Sequence, residues 1–120
     1  MSKKIQYEIS NNQLSKVKTT LYISALYKGN TVPKLLDQIF DLRLSKAAKV
    51  DSFKGDFGKT IELYGNGNID KLLFVGLGSK KDFNSDKLRA IAANIIRNVE
   101  LKKITSVCID ADAFNLNKNE

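Results

Sequence analysis

The 120-residue chain contains no histidine and no tryptophan, and a single cysteine, Cys108. Without histidine, a Ser-His-Asp or Cys-His triad is excluded. So is a zinc site built from histidine and cysteine, because one cysteine cannot make a cluster. One cysteine also rules out an internal disulfide. Cys108 falls within an apolar, strand-like run, where a thiol is a small core hydrophobe rather than a nucleophile. The densest apolar run, Leu72-Leu73-Phe74-Val75, is far shorter than the ~20 residues of a membrane helix. The first residues, Met1 to Glu8, carry no apolar core of the kind a secretory signal needs, so a cytoplasmic setting with no membrane partner is expected. No internal repeat or low-complexity linker is present.

What remains is ordinary for one globular domain: hydrophobic residues make up 42% and charged residues 28%. The formal net charge is +7. An excess of cations suits an anionic partner such as nucleic acid. Here nearly all the cations are lysine, and asparagine and isoleucine are also abundant, which equally fits a coding bias toward A and T.

Hydrophobic periodicity organises the chain. Ile5, Tyr7 and Ile9 alternate with polar residues, predicting a strand closed by an Asn11-Asn12 turn. Thr19 to Tyr27 predicts a second strand, ended by Gly29-Asn30. Thr31 is placed to cap a helix with Pro33 in its first turn and Val32, Leu35, Leu36, Ile39 and Phe40 on one face. Leu44, Ala47 and Ala48 either prolong that face or form a second short helix. Lys59 to Tyr64 alternates, with Ile61 and Leu63 on one side. Gly65-Asn66-Gly67-Asn68 then turns into Lys71 to Val75, predicting a β-hairpin whose second strand is apolar on both faces and central in its sheet. Gly76-Leu77-Gly78 is expected to break that strand.

Asn84 or Ser85 then caps a helix. Leu88, Ile91, Ala92, Ile95 and Val99 face the core, while Lys87, Arg89, Asn94 and Asn98 face away. Ile104, Val107 and Ile109 complete a strand–helix–strand unit with parallel neighbours. Residues 1–114 read as one domain, and 115–120 as a polar, frayed tail.

Few residues offer chemistry. Gly58-Lys59-Thr60 matches the end of a phosphate-binding loop, but Phe53 stands where that loop needs glycine, and a strand follows instead of a helix. Gly76-x-Gly78 resembles the start of a dinucleotide fingerprint, yet Lys81 occupies the third glycine position. A tight turn explains the two glycines as well. Backbone amides there, beside Lys80 and Lys81, make Gly76, Gly78, Lys80 and Lys81 the weak anion-site candidates of the chain. Asp110 and Asp112 follow a strand end, where α/β ligand sites form and where paired carboxylates suit hard metals. Polar strand ends account for them without a metal. The pairs Lys80-Lys81 and Lys102-Lys103 should lie about 25 Å apart along the crossover helix, at 1.5 Å per residue. Only weak, salt-sensitive, sequence-independent nucleic-acid binding is therefore expected. The missing tryptophan removes a stacking platform for single strands.

One ordered set of motifs carries a family resemblance. Phe53-Lys54-Gly55-Asp56-Phe57-Gly58-Lys59 is followed by the hairpin, then by Leu72 to Gly78, then by Asp86-Lys87-Leu88-Arg89-Ala90 opening a helix. In order and spacing this resembles the N-terminal domain of the leucyl (cytosol) aminopeptidase family. The resemblance implies an α/β fold: a mixed β-sheet flanked by helices, a macro-domain-like three-layer sandwich lacking its last elements. It also implies a longer parent whose C-terminal domain removes N-terminal amino acids with two divalent metals, zinc or manganese, and a metal-bridged water. Its partners would be that catalytic domain and sister subunits. The family's Asn-Thr-Asp-Ala-Glu-Gly-Arg signature is absent from this sequence, so no catalytic, metal or cofactor residue carries over. A non-catalytic accessory domain, expressed as a fragment, is the expectation. The alternative is a stand-alone module binding nucleotide, ADP-ribose or nucleic acid.

Overall fold

The computed structural model describes residues 6–10, 17–65, 68–101 and 104–114. Five strands form one mixed sheet: β1 (Gln6–Ser10), β2 (Thr19–Tyr27), β3 (Thr60–Tyr64), β4 (Ile69–Gly78) and β5 (Ser106–Asp110). Their spatial order is β1-β5-β2-β4-β3. β1, β5, β2 and β4 run parallel, and β3 closes one edge antiparallel to β4. The α-helices among the described residues are α1 (Lys34–Ile39), α2 (Arg43–Val50) and α3 (Ser85–Leu101).

Alternation along β2 and β4 divides the core into two halves. Tyr22, Leu26, Leu72, Phe74 and Cys108 point to one face, where Leu36, Phe40, Leu44 and Ala48 of α1 and α2 cover them. Leu21, Ile23, Leu73, Val75 and Val107 point to the other, beneath Ile91, Ile95 and Val99 of α3. The result is the expected helix–sheet–helix sandwich. β4 is apolar on both faces because it is covered on both. Cys108 is buried and forms no disulfide. Leu44, Ala47 and Ala48 belong to a separate second helix.

The junction of α1 and α2 needs two residues in the left-handed region, Asp41 (φ 57°) and Leu42 (φ 63°). Such backbone costs about 1–3 kcal/mol per residue and persists only where neighbours enforce it. Asp37 supplies the enforcement. Its carbonyl accepts from the Leu42 N–H (2.8 Å), and its buried carboxylate accepts from the Ser45 N–H (2.9 Å). The second bond caps the first turn of α2, where a carboxylate also suits the helix dipole.

Several expectations are corrected. Thr31 does not cap α1. Pro33 stands at the cap position, because the first α1 bond runs from the Asp37 N–H to the Pro33 carbonyl (3.0 Å). With so short a helix, Leu35 and Ile39 stay on the solvent side, while Leu36 and Phe40 are buried in the core and Val32 packs against it half-buried. Gly76 and Gly78 do not break β4, which runs through both. β4 is interior, but the middle strand is β2, which pairs with β4 and β5. The parallel strands joined by α3 are therefore not neighbours: β2 lies between them, and β5 docks on its far side. Ala92 is exposed, so the buried stripe of α3 is narrower than expected. Asn84 does cap that helix, accepting from the Lys87 N–H at 2.9 Å. Ile5, the Asn11-Asn12 turn, Asn66-Gly67, Lys102-Lys103 and the 115–120 tail lie outside the described residues.

Candidate functional site at the strand ends

Parallel sheets place ligands beyond the carboxyl ends of their strands. In this domain those ends of β2 and β5 border a cleft of about 330 Å³. Ser24 and Tyr27 line its strand side, Asn30, Thr31 and Pro33 its loop side, and Asp110, Asp112 and Ala113 the end of β5.

Asp110 is the hub. Its Oδ2 accepts from the fully buried Ser24 hydroxyl (3.0 Å), and its Oδ1 accepts from the Ala113 N–H (3.3 Å). The Tyr22 phenol is hydrogen-bonded to the same carboxylate. Asp110 thus ties β2 to β5 and shapes the turn after β5. Both of its oxygens serve that framework, which disfavours a metal role. Among the described residues no three His, Cys, Asp or Glu side chains gather as a metal site. Asp110 and Asp112 alone do not supply the ligand set of a two-metal centre, which the family resemblance places in a separate C-terminal domain.

Burial raises the Tyr22 pKa above its ordinary 10.0, and the nearby Asp110 carboxylate and Cys108 thiol push it further the same way. The unfolded chain therefore ionises at Tyr22 first as pH rises. Above about pH 10 the native state holds more protons than the unfolded one, so stability falls with pH, by up to about 1.4 kcal/mol per unit. Below that pH the contribution is fully present. Tyr22→Phe is expected to flatten this alkaline decline. Urea midpoints at about pH 9 and pH 11 for both proteins test it. Parallel declines would count against the Tyr22–Asp110 coupling.

The four residues singled out from the sequence are brought to one end of the sheet but not to one ligand. The Gly76 N–H donates to the Lys59 carbonyl (2.8 Å) and the Gly78 N–H to the Gly55 carbonyl (2.8 Å). Both amides are thus engaged by the 53–59 loop. A Cβ at Gly76 would overlap the Asp56 carbonyl oxygen, so the glycine is needed for that close approach. The Lys80 ammonium lies 5.9 Å from the centre of the Tyr27 ring, and Lys81 is exposed. The sequence signal for the loop was its run of glycine and aromatic residues, read as motif but not as cover for β4. Nothing local signalled the Tyr22–Ser24–Asp110 cluster, because Asp110 lies 86 positions from Ser24 in sequence.

Sheet order, two helical layers and a cleft at the strand ends define a macrodomain-like α/β sandwich. The macrodomain of Mycobacterium tuberculosis DarG shares this architecture, with a TM-score of 0.65 at 10% identity over 88% of this chain and 75% of that one. A mutant of tomato leucine aminopeptidase shares it as well, with a TM-score of 0.67 at 18% identity over 90% of this chain and 23% of that one. At such identities the likeness concerns the fold. Sequence decides the family: the model of the cytosol aminopeptidase family, N-terminal domain, matches residues 11–120. The chain belongs to that family. A probable cytosol aminopeptidase of Alkaliphilus oremlandii is 25% identical over 113 residues, which is 89% of this chain but 23% of the relative. The chain therefore spans about a quarter of the length of such relatives.

Proposed function

We propose that residues 1–114 form the non-catalytic N-terminal domain of a metal-dependent leucyl aminopeptidase. Peptide cleavage and the two divalent metals, zinc or manganese, belong to a C-terminal catalytic domain. The N-terminal domain serves assembly or access through contacts with that catalytic domain and with sister subunits, in the cytoplasm. The family match across residues 11–120 carries this reading. The side-chain chemistry supports it: the Asp110 carboxylate at the end of β5 is engaged in bracing the sheet, through Ser24 and the Ala113 N–H. The nucleotide-binding alternative loses support, because its phosphate-binding amides would be those of Gly76 and Gly78, which are bonded to loop carbonyls.

The purified 120-residue chain is expected to release no leucine from a leucyl amide, with or without added manganese or zinc. Release that scales with the amount of chain and is abolished by a chelator would overturn the assignment of catalysis to another domain.

A further inference from the structure

The edge strand β3 and the groove beside it form a second surface, which shares no lining residue with the strand-end cleft. In the β3–β4 ladder the Lys59 carbonyl accepts from Gly76 and the Gly65 N–H donates to Asp70. Odd-numbered residues of this stretch therefore turn their backbone groups toward β4. By the antiparallel pattern Thr60, Glu62 and Tyr64 turn theirs outward, to the side where the sheet ends. Arg43 confirms the direction and marks the limit of the edge, since its guanidinium donates to the Tyr64 carbonyl at 2.7 Å. Beside β3, on the α3 face, lies a groove of about 190 Å³. Thr60 and Glu62 form one wall, Asn94 and Asn98 the other, and Leu73 and Ile95 are among the floor residues. These asparagines were expected to face away from the core, and they do, but the sheet is wide enough to continue past α3 beneath them.

Strand addition needs both parts: an outward row of backbone groups for affinity and an adjacent recess for side chains. We propose that this edge binds an extended, acidic polypeptide segment as an added strand. Extended backbone is the chemistry that matches donors and acceptors repeating every second residue. Charge selects the acidic class. The Glu62 carboxylate is neutralised by the Lys71 ammonium at 2.8 Å. Lys59 is exposed at the head of the strand, and the Lys87 ammonium lies 5.3 Å from the centre of the Phe57 ring just before it. A second copy would bring another net charge of +7 to the same edge, which disfavours self-pairing. The inference stands on the edge geometry and is independent of where catalysis resides.

The test is a titration of the isotope-labelled 120-residue chain, followed by amide chemical shifts. The probe is the blocked peptide Glu-Thr-Val-Glu-Val-Thr-Glu. Two controls accompany it, one N-methylated at alternate residues and one with lysine in place of glutamate. Saturable shifts centred on the Thr60, Glu62 and Tyr64 amides are expected, with both controls binding at least about tenfold more weakly. Thr60→Pro removes an outward N–H while leaving the β4 ladder intact, and should weaken binding roughly fivefold to tenfold. Lys59→Glu, which leaves the backbone unchanged, should weaken it as well. Equal binding of the N-methylated peptide, shifts confined to other elements, or no shift at about millimolar peptide would each overturn the proposal. Edge-amide shifts that follow protein concentration alone would overturn it in favour of a second copy.

Discussion

Phe74→Ala is expected to destabilise the domain by about 3–5 kcal/mol, the usual loss for a fully enclosed phenylalanine. Phe74 is 0% exposed at an interior position of β4. Its ring lies 5.7 Å from that of Phe53 and belongs to the core half covered by α1 and α2. Two short helices cannot collapse far into the vacated space, because Asp37 pins their junction through Leu42 and Ser45. Domains of ordinary stability hold about 5–15 kcal/mol in total, so the variant should be close to unfolding at room temperature. Urea unfolding followed by circular dichroism measures the change directly. Phe57→Ala is the matched control: Phe57 is 42% exposed, and its removal should cost about 1 kcal/mol or less. Equal losses for the two variants would contradict the assignment of Phe74 to an enclosed layer.

Legibility in the sequence followed the range of the interactions. β2, β4 and α3 were readable because their signals are local: alternation, an unbroken apolar run, and apolar residues three and four apart. The hairpin pairing of β3 with β4 was readable from the turn between them. Sheet order was not. Whether β5 docks beside β4 or beyond β2 depends on which edges remain open after the earlier strands have paired. The start of α1 was misplaced by two residues because Thr31 and Pro33 both carry start signals, and hydrogen bonding chose Pro33. The candidate site shows the same limit. Gly76-x-Gly78 looked like a phosphate turn, but whether an amide is available depends on residues some twenty positions earlier, Gly55 and Lys59. The Ser24–Asp110 bond joins residues 86 positions apart, and a single sequence offers no signal for it. Family membership was legible because it rests on motif order rather than on contacts.

Gly76→Ala is expected to cost about 3 kcal/mol or more, an unusually large effect for one methyl group. The added Cβ would overlap the Asp56 carbonyl oxygen and come within 2.9 Å of the Gly55 oxygen. Both are backbone atoms, so no flexible side chain can swing aside. Relief requires moving either β4 or the loop. β4 is held by β2 on one side and β3 on the other, so the loop moves. That motion loosens the bonds from Gly58 N–H to the Gly76 carbonyl (3.1 Å), from Gly76 N–H to Lys59 and from Gly78 N–H to Gly55. Each is worth about 1 kcal/mol net, and overpacking adds about 1–3 kcal/mol. Gly29→Ala separates this clash from the general cost of losing a glycine. Gly29 has φ +90° but nothing within 4 Å of its added Cβ, so only the left-handed backbone penalty of about 1–2 kcal/mol applies. Hydrogen exchange supplies the local readout. Gly76→Ala should accelerate exchange at the Gly58 and Gly78 amides first, whereas Gly29→Ala should leave both protected. If the two variants lose equal stability and Gly58 and Gly78 stay protected in both, the loop does not pack on β4 through Gly76.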